Sequence, residues 1–259
     1  LINSGAVQTD TMELFTDWCG LINHGLRVTP VGCSDSHDVS RYIVGQGRTY
    51  IQADDDDPGS INSDAALDAF LNGRVIVSYG LLVKLEVRSS TDLANSHGPG
   101  DTFSVKQNAT DGQSTMLEVT AKVLAPHWSH PRKVQLFING EPKFTAEINS
   151  KQKSGQPFST TVTWKIPAKD LPNDAWLTAV ATGAGIQSLH WPTAKPYQPD
   201  SPAFESKTFS CTGPIWLDTD GDGTYRSPRD HAKQLLSKTP LDSKSGKPAA
   251  ATKRSSRHQ

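Results

Sequence analysis

Residues 115–126 read TMLEVTAKVLAP, with Leu117, Val119, Ala121 and Val123 separated by Glu118, Thr120 and Lys122. Apolar residues at every second position line one face of a strand, because successive side chains leave a pleated backbone on opposite sides. A helix would need them three and four apart. The same period, or an apolar β-branched run, recurs at residues 83–90 (VKLEVRSS), 133–149 (KVQLFINGEPKFTAEIN), 158–167 (FSTTVTWKIP), 175–183 (AWLTAVATG) and 206–211 (SKTFSC). Asn139-Gly140 divides the second of these as a hairpin turn, since both residues accept positive φ. Residues 82–212 are therefore expected to form an antiparallel, immunoglobulin-like β-sandwich.

Composition agrees with a β-rich majority: 17 prolines and 20 glycines punctuate the chain, and only two methionines are present. A length of 259 residues accommodates one large domain or two ordinary ones. The net charge of −1 gives no bulk attraction for nucleic acid or an anionic membrane. No apolar run reaches the roughly 20 residues of a membrane span. Three cysteines, Cys19, Cys33 and Cys211, leave an odd count without CxxC spacing, which indicates neither a disulfide framework nor a structural zinc site but leaves room for one pair. The sandwich and an acidic loop point to an extracytoplasmic setting.

Before Gly80 the texture differs. Residues 16–25 (TDWCGLINHG) offer Thr16 or Asp17 as helix cap, Trp18, Leu21 and Ile22 as an apolar face, and Gly25 as terminator. Short strands are expected at 27–32 (RVTPVG), 47–53 (GRTYIQA) and 75–80 (VIVSYG). Between the last two, Ser63 would cap a helix with Ala66, Leu67, Phe70 and Leu71 on its apolar side and Gly73 at its end. Alternating helix and strand predicts an α/β layer or barrel, although residues 1–81 are too few for a complete one.

Immediately after the first of these strands stands VGCSDSHD, residues 31–38. Loops at the carboxyl ends of barrel strands converge on one mouth, so Asp35 and His37 sit where active sites are built. In an extended segment, alternate residues face the same way, as two ligands of one cation must. Turn capping by Ser34, Asp35 and Ser36 is the plainer alternative. Ser36 and Asp38 flank the pair and are placed to orient it, unless Asp38 caps the element that follows; Arg48 either reaches an anionic substrate or closes a structural ion pair.

The order DWCGLINHGLRVTPVGCSDSHD, GQGRTYI, DAALDAFLNGRVIVSYG, over about 65 residues, resembles the end of the PHP (polymerase and histidinol phosphatase) metallohydrolase domain, in particular hydrolases of the CehA/McbA type. The resemblance implies a distorted α/β barrel holding two or three divalent metals, with Asp35 and His37 matching its last Asp-x-His metal motif. It also implies hydrolysis of an ester, carbamate or phosphoester of a small-molecule substrate. Zinc, manganese or iron suits such ligands, and a bound divalent cation brings the pKa of water down to about 7. The early His-x-His motif and the middle His and Glu ligands have no counterpart here; His24 and His97 do not form that pattern. Two ligands do not hold a catalytic cation. This chain is thus expected to be the C-terminal part of such an enzyme, inactive without a missing N-terminal part; its opening on Leu1 rather than Met allows that.

A second constellation is DTDGDG, with Asp218, Asp220 and Asp222 alternating and Gly223 at the turn. It reproduces the first half of a calcium loop, in which positions one, three and five supply oxygens and glycine makes the bend. Arg229 occupies position twelve, where a bidentate acid belongs, and Asp230 comes one later. Calcium completed by another loop or by Asp230, and a metal-free turn cluster, remain alternatives over residues 213–236, which end in a short helix.

Weaker features are His127, Trp128 and His130 in one loop, the acidic run 54–57, the sequon at residues 108–110, and Trp164, Trp176 and Trp191, which belong to the core or to a sugar-binding face. Residues 237–259 are polar and basic and are expected to be a disordered tail. The rival to the enzyme reading is a binding module, in which the sandwich and a calcium loop attach to a carbohydrate, surface or protein partner.

Overall fold

The computed structural model describes residues 1–3, 6–8, 10–37, 43–54, 56–105, 114–149, 155–195 and 205–238. Asp38, Asp55, the sequon at 108–110 and the tail from 239 onward lie outside them. Among the described residues there are three α-helices, α1 (Glu13–Asn23), α2 (Ser63–Leu71) and α3 (Pro228–Lys238). The strands are β1 (Gly47–Ile51), β2 (Val75–Tyr79), β3 (Leu82–Ser89), β4 (Asp92–His97), β5 (Thr102–Ser104) and β6 (Met116–Ala125). They continue as β7 (Pro131–Ile138), β8 (Glu141–Glu147), β9 (Phe158–Pro167), β10 (Ala175–Ala184), β11 (Lys207–Thr212) and β12 (Ile215–Asp218).

Two sheets pack face to face. One has four antiparallel strands in the order β4-β3-β6-β9. The other has eight: β10 pairs with β7 on one side and with β11 and β12, laid end to end, on the other. The alternation at 115–126 is realised as expected: Leu117, Val119, Ala121 and Val123 are buried against Val134, Leu136, Leu177 and Ala179 of the larger sheet. Asn139 (φ 52°) and Gly140 (φ 81°) close the β7–β8 hairpin. A side chain at Gly140 would also strike Cys19 of α1, so the turn and the helix are fitted to one another.

Strand β10 is buried on both faces, which explains its near-continuous apolar run. Its inward residues join the sandwich core; its outward residues Trp176 and Val180 meet Phe15, Trp18 and Ile22 of α1, with Phe137, Phe209 and Trp216 beside them. Rings stack edge-on here, Phe15 on Phe137 at 4.8 Å and Trp18 on Trp176 at 5.5 Å. Each such buried side chain contributes about 1.5–3 kcal/mol. The result is a helix layer on a double sheet.

Residues before Gly80 are woven into this sandwich. Strands β1 and β2 are antiparallel, and β2 pairs with β11, which makes β1 an edge of the eight-stranded sheet. The segment expected as a strand at 27–32 is reduced to one parallel bridge, Ile2 with Gly32, with α1 as the connection between its two sides. The described residues are mostly β, and they do not themselves close an α/β barrel.

Local details differ from the sequence reading. Helix α1 starts three residues before Thr16, whose hydroxyl bonds back to the carbonyl of Met12 inside the helix; Leu21 is exposed and Phe15 buried in its place. Asn62, not Ser63, caps α2 by accepting from the amide of Ala65 at 3.0 Å. In α2 only Ala69 is buried, while Leu67 and Leu71 face outward. Ser237 and Lys238, expected in the tail, complete the last turn of α3.

Candidate functional site

The Asp-x-His segment is held by backbone first. Residues 1–3 and 31–33 run parallel: Ile2 donates to the carbonyl of Val31 at 3.1 Å and Cys33 donates to that of Ile2 at 2.9 Å. The Thr49 hydroxyl accepts from Gly32 N–H at 2.8 Å and donates to Gly32 C=O at 2.9 Å, fixing this pair to β1. A Cβ at Gly47 would collide with the carbonyl of Cys33, so glycine permits the close crossing. Asp35 and His37 follow at the carboxyl end of the pair.

Asp35 adopts φ 52°, a left-handed conformation that a non-glycine residue holds only at some cost. His37 Nδ1 lies 2.8 Å from the carbonyl oxygen of Asp35 and 3.8 Å from its Oδ1. A carbonyl only accepts, so this bond puts the proton on Nδ1 and leaves the lone pair on Nε2. The two side chains are 39% and 74% exposed. Arg48 donates through Nε to the carbonyl of Gly45 and through Nη1 to the Tyr50 hydroxyl at 3.3 Å; among the described residues it makes no ion pair.

Two ligand groups are short of the three or more that a catalytic cation takes. Among the described residues no other His, Cys, Asp or Glu joins Asp35 and His37 in a group of three. By themselves, they do not fit a complete metal centre.

Such a group of three does form elsewhere. Asp174, Asp218 and Asp220 each bring an oxygen within 4.8 Å of the others. Asp218, at the end of β12, is buried; it accepts from Gly221 N–H at 2.7 Å, from Gly223 N–H at 2.8 Å and from the Ser104 hydroxyl at 2.5 Å. Burial opposes its charge, but these bonds prevail and hold its carboxyl below the usual range. Asp174 accepts from Thr219 N–H at 2.9 Å and Arg226 N–H at 2.7 Å, with His231 Nε2 at 3.6 Å.

Asp222 stands apart from this group. Its carboxylate pairs with Arg226, whose other nitrogen reaches Asp220 at 3.0 Å. Asp230 does not complete the loop either: its carboxylate accepts from the Ser227 hydroxyl at 2.8 Å and meets Lys233, while Ser227 caps α3 by accepting from the Asp230 amide at 3.2 Å. Asp174 was missed by the sequence reading because it lies 44 residues before Asp218, in a stretch, LPND, that reads as an ordinary turn. Only the pairing of β10 with β12 brings it there.

All three thiols are free; Cys19 and Cys211 are buried, and burial pushes both up to about 12. Trp176 and Trp191 are core residues, and Trp164 leans on Phe144. His97 stacks on Phe103 at 4.1 Å, a structural contact. No helix among the described residues is long and apolar enough to cross a membrane. Comparison of the chain with protein-family models, with curated proteins and with solved structures returned no match.

Proposed function

We propose that this chain is the C-terminal part of a metal-dependent hydrolase acting on an ester, carbamate or phosphoester, and that Asp35 and His37 are two of its metal ligands. One observation carries the reading: His37 Nδ1–H donates to the carbonyl of Asp35 just beyond the parallel bridge between Ile2 and Gly32, which leaves Nε2 free. Metal-binding histidines characteristically spend their second nitrogen on such a carbonyl. The remaining ligands would come from residues beyond those described. Such a cation, zinc, manganese or iron, would activate water for hydrolysis.

The surface supports an interface at this end. Among the described residues, twelve of the sixteen exposed large apolar side chains fall within the first 71 positions, including Leu26, Val44, Ile61, Leu67 and Leu71. Concentrated apolar exposure marks surface that another piece covers. The protein expressed from its complete reading frame, offered aryl ester, carbamate and phosphoester substrates with zinc, manganese or iron, should hydrolyse at least one. Asp35→Ala and His37→Ala should each remove that activity; hydrolysis unchanged in both would refute the assignment.

A second reading, a sandwich binding module stabilised by calcium, is favoured by the convergence of Asp174, Asp218 and Asp220. It predicts calcium-dependent stability and no hydrolysis by the full protein.

A further inference from the structure

Strands β1 and β2 of the larger sheet and β3, β6 and β9 of the smaller one together line a cleft of about 420 Å³. Its floor is Leu81, Leu124 and Phe158; Trp128 and Trp191 form one wall, their rings 4.9 Å apart, and Arg48 stands at the rim. Ligand pockets of small molecules fall in this size range and are likewise apolar with a few placed polar groups.

The polar groups are already disposed. The buried Gln46 is anchored through its Nε2 to the carbonyl of Pro192 at 2.7 Å, and the Ser78 hydroxyl to that of Leu81 at 2.5 Å. Arg48 differs. Its bonds to Gly45 and Tyr50 consume two of five N–H donors, and among the described residues no carboxylate faces it. Those two bonds splint the side chain, so little rotamer freedom is left to lose on binding.

We infer that this cleft binds a flat aromatic monoanion, the ring against Trp128, Trp191 and Phe158 and the anionic group on the free face of the Arg48 guanidinium. The site is separate from the Asp35 and His37 assignment and stands whether or not that holds. Guanidinium recognises carboxylate by paired, charge-assisted bonds, and the aromatic wall supplies area without charge.

Calorimetric titration with 2-naphthoate, set against the uncharged 2-naphthalenemethanol, tests it. The acid should bind about tenfold more tightly than the alcohol, and Arg48→Gln should erase that difference, the size expected of one partly exposed charge-assisted contact. Trp128→Ala should weaken both ligands. Arg88→Gln, on the outer face of β3, should leave both affinities at the wild-type value. Equal affinity of acid and alcohol, an unaltered Arg48→Gln, an equal loss in Arg88→Gln, or no heat at millimolar 2-naphthoate would each overturn the proposal.

Discussion

Asn23→Ala tests whether the helix layer and the sandwich fold as one unit. At the end of α1, Asn23 Oδ1 accepts from the indole N–H of Trp176 at 2.8 Å, while its Nδ2 donates to the carbonyl of Asn139 at 2.9 Å. Trp176 is fully buried. Removing the amide therefore orphans a buried donor on β10 and weakens the hairpin turn that β10 supports through Asn139, whose N–H donates to the Trp176 carbonyl and whose Oδ1 accepts from the Trp176 N–H. Each buried group left unpaired costs about 1–3 kcal/mol. Alanine returns about 0.5 kcal/mol in helix propensity, and Asn23 is only half-buried, so the expected loss is about 2 kcal/mol. With a urea slope of roughly 3 kcal/mol/M, the midpoint falls by about 0.7 M. Urea unfolding followed by tryptophan fluorescence and by far-ultraviolet circular dichroism should shift together in a single transition. Leu14→Ala, on the exposed side of α1, should cost no more than about 0.5 kcal/mol, a midpoint shift of at most about 0.2 M. An Asn23→Ala protein as stable as wild type, or one whose helical signal melts ahead of its fluorescence, would refute the reasoning.

In the native protein at pH 8, one thiol, Cys33, should react with a disulfide reagent, because burial keeps Cys19 and Cys211 protonated; all three should react in denaturant. The carboxyl of Asp218 is held below its ordinary value, so its contribution is complete above the unfolded pKa of about 3.9 and is lost as the pH falls through the folded pKa. Asp218→Asn should therefore flatten the acid limb of the stability curve, and an unchanged limb would count against the bonds from Ser104, Gly221 and Gly223. If calcium occupies the Asp174, Asp218 and Asp220 group, millimolar calcium should raise Tm and Asp174→Asn should abolish the rise, whereas a Tm indifferent to calcium and chelator leaves Arg226 as the cluster's counter-ion.

Strand identity was legible because the period of two survives in residues 115–126 whatever they pair with. Partners were not. Val77 and Cys211 stand opposite one another across 134 residues, and no local pattern announces that β2 joins the sandwich. The alternation of helix and strand before Gly80 suggested a separate layer, yet long-range pairing drew β1 and β2 into the larger sheet. Helix α2 was read from its apolar positions, but periodicity does not say whether a partner is there to cover them; Leu67 and Leu71 face outward. In the acidic loop, spacing identified Asp218 and Asp220. It could not foresee that Arg226 would engage Asp222 or that Asp174 would take its place, since both depend on where β10 and β12 meet. Asp35 and His37 were found as neighbours in sequence and are neighbours in space. The third ligand that chemistry requires is absent from their surroundings among the described residues.

Metal content per chain is the most direct test of the hydrolase reading. The protein from its complete reading frame, purified without chelator and measured by elemental mass spectrometry, should carry at least one zinc, manganese or iron per chain, and Asp35→Ala and His37→Ala should each lower that figure while retaining the native circular dichroism spectrum. Full metal occupancy in both variants, or a wild-type protein that holds none of the three, would contradict it.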